Sequence, residues 1–239
     1  MANGESGGPL LPFRSERRTS VKKRSFAALL CCLLLALLCS GCDKFDASGY
    51  VKAVMDNFYL DDSAAYVEIV GTTAEEAHQV YQDGLTAEAQ IFCTYMSIDP
   101  EMVKPQTAER ILALYGEIYR HAKYEVEPAK KEGGGYTVPV RIYPIDLFDQ
   151  SLDDLNDYVE RFHTAIENGD HIGKSTSYLS TAYQNEILAV LEKHLETIGN
   201  LTEPVELTIR IEKDGADAWG MSDEDLQRID EQIIHYTQG

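Results

Sequence analysis

Beyond residue 42 the sequence holds a single cysteine, Cys93. One thiol cannot form an internal disulfide. With no cysteine pair and no histidine followed by another at i+3 or i+4, the spacings of structural or catalytic zinc are absent. His78, His121, His163, His171, His194 and His235 therefore read as surface or hydrogen-bonded helix residues. There is no HExxH, GxSxG, phosphate-loop or GxGxxG pattern. Positive charge is also scarce: 21 Lys and Arg face 40 Asp and Glu, a net of −19. From residue 42 onward the imbalance deepens to 15 against 38. That excludes nucleic acid as a partner, which needs a basic footprint, and it opposes lying flat on anionic lipid. The same acidity also serves plain solubility. The longest uncharged apolar run, residues 26–38, has 13 residues, short of the roughly 20 that a spanning helix requires.

That run is the most informative feature present. It follows a basic segment, Arg14, Arg17, Arg18, Lys22, Lys23 and Arg24, and it precedes small residues. A basic region, a short apolar core and small residues describe an export signal. The run Leu38-Cys39-Ser40-Gly41-Cys42 resembles a bacterial lipobox: an aliphatic residue and two small ones before the cysteine that is lipidated and becomes the N-terminus. Ser40, Gly41 and Cys42 match. Cys39 occupies the aliphatic place, with Leu38 one position early. The resemblance implies a signal peptide over 1–41, a diacylglyceryl group on Cys42 and a short tether over 42–48. Two acyl chains anchor stably where one does not. An ordinary secretory signal or an uncleaved anchor is the alternative. Arg17-Arg18 leaves both the general secretory and the twin-arginine route open.

The rest reads as one α+β domain over 49–239, in the order helices, hairpin, helices, hairpin, helix. Val51, Val54, Met55 and Phe58 recur at helical spacing. Thr73 and Glu76 form a capping box for a helix over 73–96, whose stripe is Ala77, Tyr81, Leu85, Ala89, Phe92 and Met96. Cys93 on that helix reads as a small buried apolar residue. A helix over 107–123 follows. Residues 124–128 and 136–143 alternate as a hairpin around the turn KKEGGG, with Pro139 requiring an edge or a bulge. Ser151 and Asp154 predict a helix over 151–166, and 175–198 a longer one. Residues 205–211 alternate cleanly, 216–221 pair back, and Ser222 with Asp225 caps a last helix. Small antiparallel sheets with helices packed on them define the α+β class. Two half-units, 50–145 and 151–237, are suggested by the order of elements.

On TAEEAHQVYQDGL at 73–85, AKYEVEPAKKEGGGYTVPVRIYPID at 122–146, WGMSDEDLQRIDEQI at 219–233 and the lipobox cysteine, the chain resembles uncharacterised Gram-positive lipoproteins of unknown function. It is also similar to the wider NTF2-like and cystatin-like α+β folds. These resemblances imply a fold and a place at the outer face of the cytoplasmic membrane. They imply no catalytic residue and no cofactor.

Site candidates are sparse. Asp146, Asp149 and Asp153 are hard-oxygen groups suited to Ca²⁺, or the solvated start of a helix. Trp219 and Tyr143 are candidate walls of a ligand pocket, since aromatic rings offer an apolar face for a peptide or a sugar; core packing is the alternative. The expected activity is that of a membrane-anchored binding or accessory module with a protein, peptide or glycan partner. A cell-envelope hydrolase using an Asp/Glu pair and a solute-binding lipoprotein of a transporter are the other readings.

Overall fold

The computed structural model describes residues 45–215 and 217–236. The expected signal peptide, the lipobox and Cys42 lie outside them. Among the described residues there are seven α-helices: α1 (Ala47–Leu60), α2 (Ala64–Val70), α3 (Ala74–Tyr95), α4 (Pro105–Tyr119), α5 (Leu147–Glu167), α6 (Thr176–His194) and α7 (Asp223–Ile233). The strands are β1 (Lys123–Val126), β2 (Lys130–Glu132), β3 (Gly135–Tyr143), β4 (Val205–Lys213) and β5 (Trp219–Met221). The α+β class and the alternation of helices with two hairpins are as the sequence predicts.

The sheet is antiparallel throughout, in the order β1-β3-β4-β5, with β2 extending the β1 edge along β3. The two hairpins meet at β3 and β4, in register from Tyr136↔Ile211 to Ile142↔Val205. Alternation explains the buried face: Val138, Val140 and Ile142 point with Ile209 and Ile211 into the core and are fully buried. Helices α1 and α7 pack against β3, and α1 contributes Val51, Val54, Met55 and Phe58 to the same buried cluster.

Pro139 shows how sequence and sheet fit together. It pairs with Thr208 on one side. On the other, the edge strand is broken into β1 and β2 opposite it. A proline has no N–H to give to that edge. Its carbonyl accepts Glu127 N at 2.9 Å, and the Glu127 carbonyl takes the Ser48 hydroxyl instead, at 3.0 Å. Ser48 Oγ in turn accepts Ala129 N at 2.8 Å. One hydroxyl at the start of α1 thus closes the gap that the proline opens. Ser48→Ala orphans two part-buried backbone groups and is expected to cost about 1–2 kcal/mol. The denaturant midpoint should fall while the m-value stays unchanged.

Two elements differ from their sequence reading. Helix α5 starts at Leu147, and Ser151 lies inside it. The Ser151 hydroxyl is buried and donates to the Leu147 carbonyl at 2.8 Å, so it back-bonds one turn and does not cap. The stretch KKEGGG is only partly a turn. Gly133 and Gly134 both take positive φ, 57° and 91°, as a two-residue hairpin turn requires. That frees Lys130–Glu132 to pair as β2.

Candidate functional site

A groove of about 670 Å³ lies between β4, β5 and the start of α7. Its walls include Thr208, Arg210 and Glu212 from β4, Trp219 and Met221 from β5, and Arg228 from α7. Local chemistry builds it. β5 pairs only with residues from Ile211 to Lys213, so the earlier part of β4 has no strand beside it on that side. The start of α7 takes over there. Ser222 caps that helix by accepting Asp225 N at 3.1 Å. Asp225, 6% exposed, accepts Arg210 N at 2.9 Å and the Arg228 guanidinium at 2.7 Å. Arg228 also donates to the Thr208 carbonyl at 3.5 Å. Two side chains of a helix thus cover a sheet edge that would otherwise invite another chain.

Trp219 lines this groove. It stacks on Phe45 at 5.1 Å with 14° between the rings and meets Tyr136 edge-on at 5.1 Å. Tyr143 does not join it. Its ring lies under the Lys123 ammonium at 4.3 Å, at the β1 end of the sheet, and its hydroxyl donates to Glu125 at 3.3 Å.

The three aspartates weighed for Ca²⁺ or for a helix start lie at the N-cap and in the first two turns of α5. Among the described residues no three acidic, histidine or cysteine side chains come together as an ion site. Asp146 accepts Gly199 N at 3.1 Å and Gln150 Nε2 at 2.7 Å. Asp149 pairs with His235 Nδ1 at 2.6 Å. Asp153 is exposed. The first two carboxylates already serve to hold the flanks of α5 in place. Asp154, nearby, is held below the usual carboxyl range by hydrogen bonds from Lys193 and His194.

A second set of groups was missed in the sequence. Glu88 in α3 is 5% exposed. Its carboxyl accepts the Tyr119 hydroxyl at 3.4 Å and a hydrogen bond from Tyr236. Tyr236 shares a further hydrogen bond with Tyr115 at 2.8 Å. Asp230 in α7 accepts the Tyr59 hydroxyl at 3.3 Å. Burial, then the Asp230 charge, pushes Glu88 up to about 8. Burial raises Asp230 to about 6. The hydrogen bond from Tyr59 opposes that rise. Burial also lifts Tyr59, Tyr115, Tyr119 and Tyr236 well above the ordinary phenol value. The signal for Glu88 is in the helix stripe: it is three residues after Leu85 and four before Phe92, so it belongs on the apolar face. Asp230 stands likewise four after Leu226 and three before Ile233.

This carboxyl pair is walled in by tyrosines, and neither member lines the groove. Of the groove's acids, Glu212, Asp214, Glu224 and Asp225, the buried one, Asp225, is committed to Arg228 and to the β4 backbone. Cys93 is buried, and burial raises its thiol, so it has none of the thiolate character of a nucleophile. What the groove offers is an aromatic wall and side chains of both signs. Those are the means of binding an extended or sugar-like ligand.

The fold is an α+β domain of helices packed on one antiparallel sheet. The solved structure of a "putative lipoprotein (ycdA)" from Bacillus subtilis has it too, with a TM-score of 0.53 over 80% of this chain at 14% sequence identity. This chain spans 56% of the length of that one. No family model matches the chain, and no curated protein does. Among the described residues no helix is long and apolar enough to cross a membrane.

Proposed function

We propose that the chain is a lipoprotein held at the outer face of the cytoplasmic membrane through Cys42. On this reading it serves as a binding module, with the groove beside Trp219 taking a protein, peptide or glycan segment. The anchoring is supported by the run Leu38–Cys42 behind its basic and apolar segments, and by the likeness of fold to the Bacillus protein. The observation that carries the binding reading is the groove itself: about 670 Å³ of space beside a partly exposed tryptophan and a sheet edge held by Asp225 and Arg228. The covering of helices over one face of an antiparallel sheet also suits the NTF2-like and cystatin-like folds.

Fractionation tests the anchoring. The wild-type chain is expected in membranes after a carbonate wash and to carry an acyl label that Cys42→Ala lacks. A membrane-bound wild-type chain with no acyl label would refute it.

A further inference from the structure

We infer that the end of the sheet carrying Phe45, Tyr136 and Trp219 rests on the lipid headgroups, so that the groove opens beside the bilayer surface. The inference depends on Cys42 being lipidated.

Reach sets the geometry. Phe45 is the first described residue and lies three peptide units after Cys42. Three fully extended units span at most about 11 Å. The headgroup layer of one leaflet is roughly 5–8 Å thick. An acyl-anchored Cys42 therefore leaves Phe45 within or a few ångströms above the headgroups, whatever path the three residues take. Phe45 is not free to swing away. Its ring is 5.1 Å from Trp219, 5.9 Å from Tyr136 and 5.7 Å from Tyr50. The next residue, Asp46, caps α1 by accepting Gly49 N at 2.9 Å. The ring that must sit near the lipid is thus locked to the sheet end.

That end has the composition of an interfacial surface. Phe45, Tyr136 and Trp219 are partly exposed, and Trp and Tyr favour the headgroup level because one ring carries an apolar body and a polar tip. The Lys213 ammonium lies 5.3 Å over the Trp219 ring, and Lys130 and Lys131 are exposed on β2, with Lys131 in register with Tyr136. The charge at this end is mixed: Lys130, Lys131, Arg210, Lys213 and Arg228 lie among Asp46, Glu132, Glu212, Asp214, Asp217, Glu224 and Asp225. The exposed lysines are the groups here that an anionic membrane attracts. The groove shares Trp219 and Lys213 with this surface, so its partner would be met at the membrane.

Trp219 is the only tryptophan, so its fluorescence reports on this surface alone. The lipidated full-length chain is placed on vesicles of phosphatidylcholine and phosphatidylglycerol, with and without phosphatidylcholine brominated high on its acyl chains. Quenching of about twofold or more is expected for an aromatic ring seated at the headgroup level, and weaker quenching when the bromines lie deep. Cys42→Ala, kept in solution, should show none. A vesicle-bound wild-type chain whose Trp219 emission ignores the brominated lipid overturns the inference while leaving the anchoring intact. A wild-type chain that fails to bind the vesicles overturns both.

Discussion

Replacing Glu88 by glutamine is expected to flatten the dependence of thermal stability on pH. The carboxyl is raised from the ordinary 4.5 to about 8 by burial and by the neighbouring Asp230. The native state thus holds a proton that the unfolded chain releases above pH 4.5. Stability from the protonated, tyrosine-bonded form is complete below that pH and is lost as the pH rises through about 8. Asp230 adds a smaller slope of the same sign, between its ordinary 3.8 and about 6. Glutamine is neutral at every pH; its carbonyl can accept the bond that Tyr236 now gives, and its amide NH2 can donate to the Tyr119 hydroxyl. The wild type and Glu88→Gln should therefore have similar Tm near pH 4. Near pH 8 the variant should be more stable by roughly 5–10 °C, the shift that a few kcal/mol produces in a domain of this size. Calorimetry across that range decides it. Parallel curves for the two proteins would mean that Glu88 is ionised in the native state and that the tyrosine cage does not hold its proton.

Phe148→Ala should cost about 3–5 kcal/mol, the range for emptying a fully buried aromatic site. Phe148 is completely buried. Its ring stacks on Tyr236 at 4.6 Å and meets Tyr95 at 5.2 Å. Tyr236 is the ring that bonds to Glu88. The loss is therefore expected to have a second consequence. With the Tyr236 ring unsupported, water reaches Glu88, its pKa falls towards the ordinary value, and the pH slope shrinks as well. Phe148→Leu keeps most of the volume and should cost about 1–2 kcal/mol with the slope retained. Denaturant titrations at two pH values measure both effects. A large loss of stability with an unaltered slope would separate the core of α5 from the carboxyl cage.

Much of the fold was legible because periodicity and caps are local. The capping box of α3 forms with both of its hydrogen bonds, Thr73 to Glu76 and back. Ser222 caps α7 as its spacing predicts. The alternation from Val138 to Ile142 gives the buried face of β3. The misreadings arose where a residue had two local uses. Ser151 could cap a helix or bond back into one, and only the tertiary burial of Leu147 and Phe148, which extends α5 backwards, decides for the second. Lys130 and Lys131 lack the branched or aromatic side chains of a strand, and they pair because the two glycines turn the chain for them.

The candidate site was less legible, for a physical reason. The groove is made by elements that approach only in three dimensions: the edge of β4, a three-residue strand and the cap of α7. Trp219 could be picked out as the sole tryptophan. Its relation to Phe45 spans most of the chain and leaves no trace in periodicity. Asp225 looked like one more helix-start acid, yet it holds the β4 backbone. The Glu88 cage was within reach, since a charged residue on an apolar stripe is a signal in itself. The abundance of acids elsewhere in the chain masked it.

The proposed anchoring joins the lipobox-like run, the short tether and the aromatic end of the sheet in one expectation: that the chain is held by Cys42, close to the bilayer. The most direct test is the intact mass of the protein extracted from membranes, with sequencing of its first peptide. The expected chain begins at Cys42 and carries a diacylglyceryl group on that sulfur. A mature chain that begins elsewhere, or that begins at Cys42 with an unmodified thiol, would contradict the anchoring and, with it, the placement of Trp219 at the membrane.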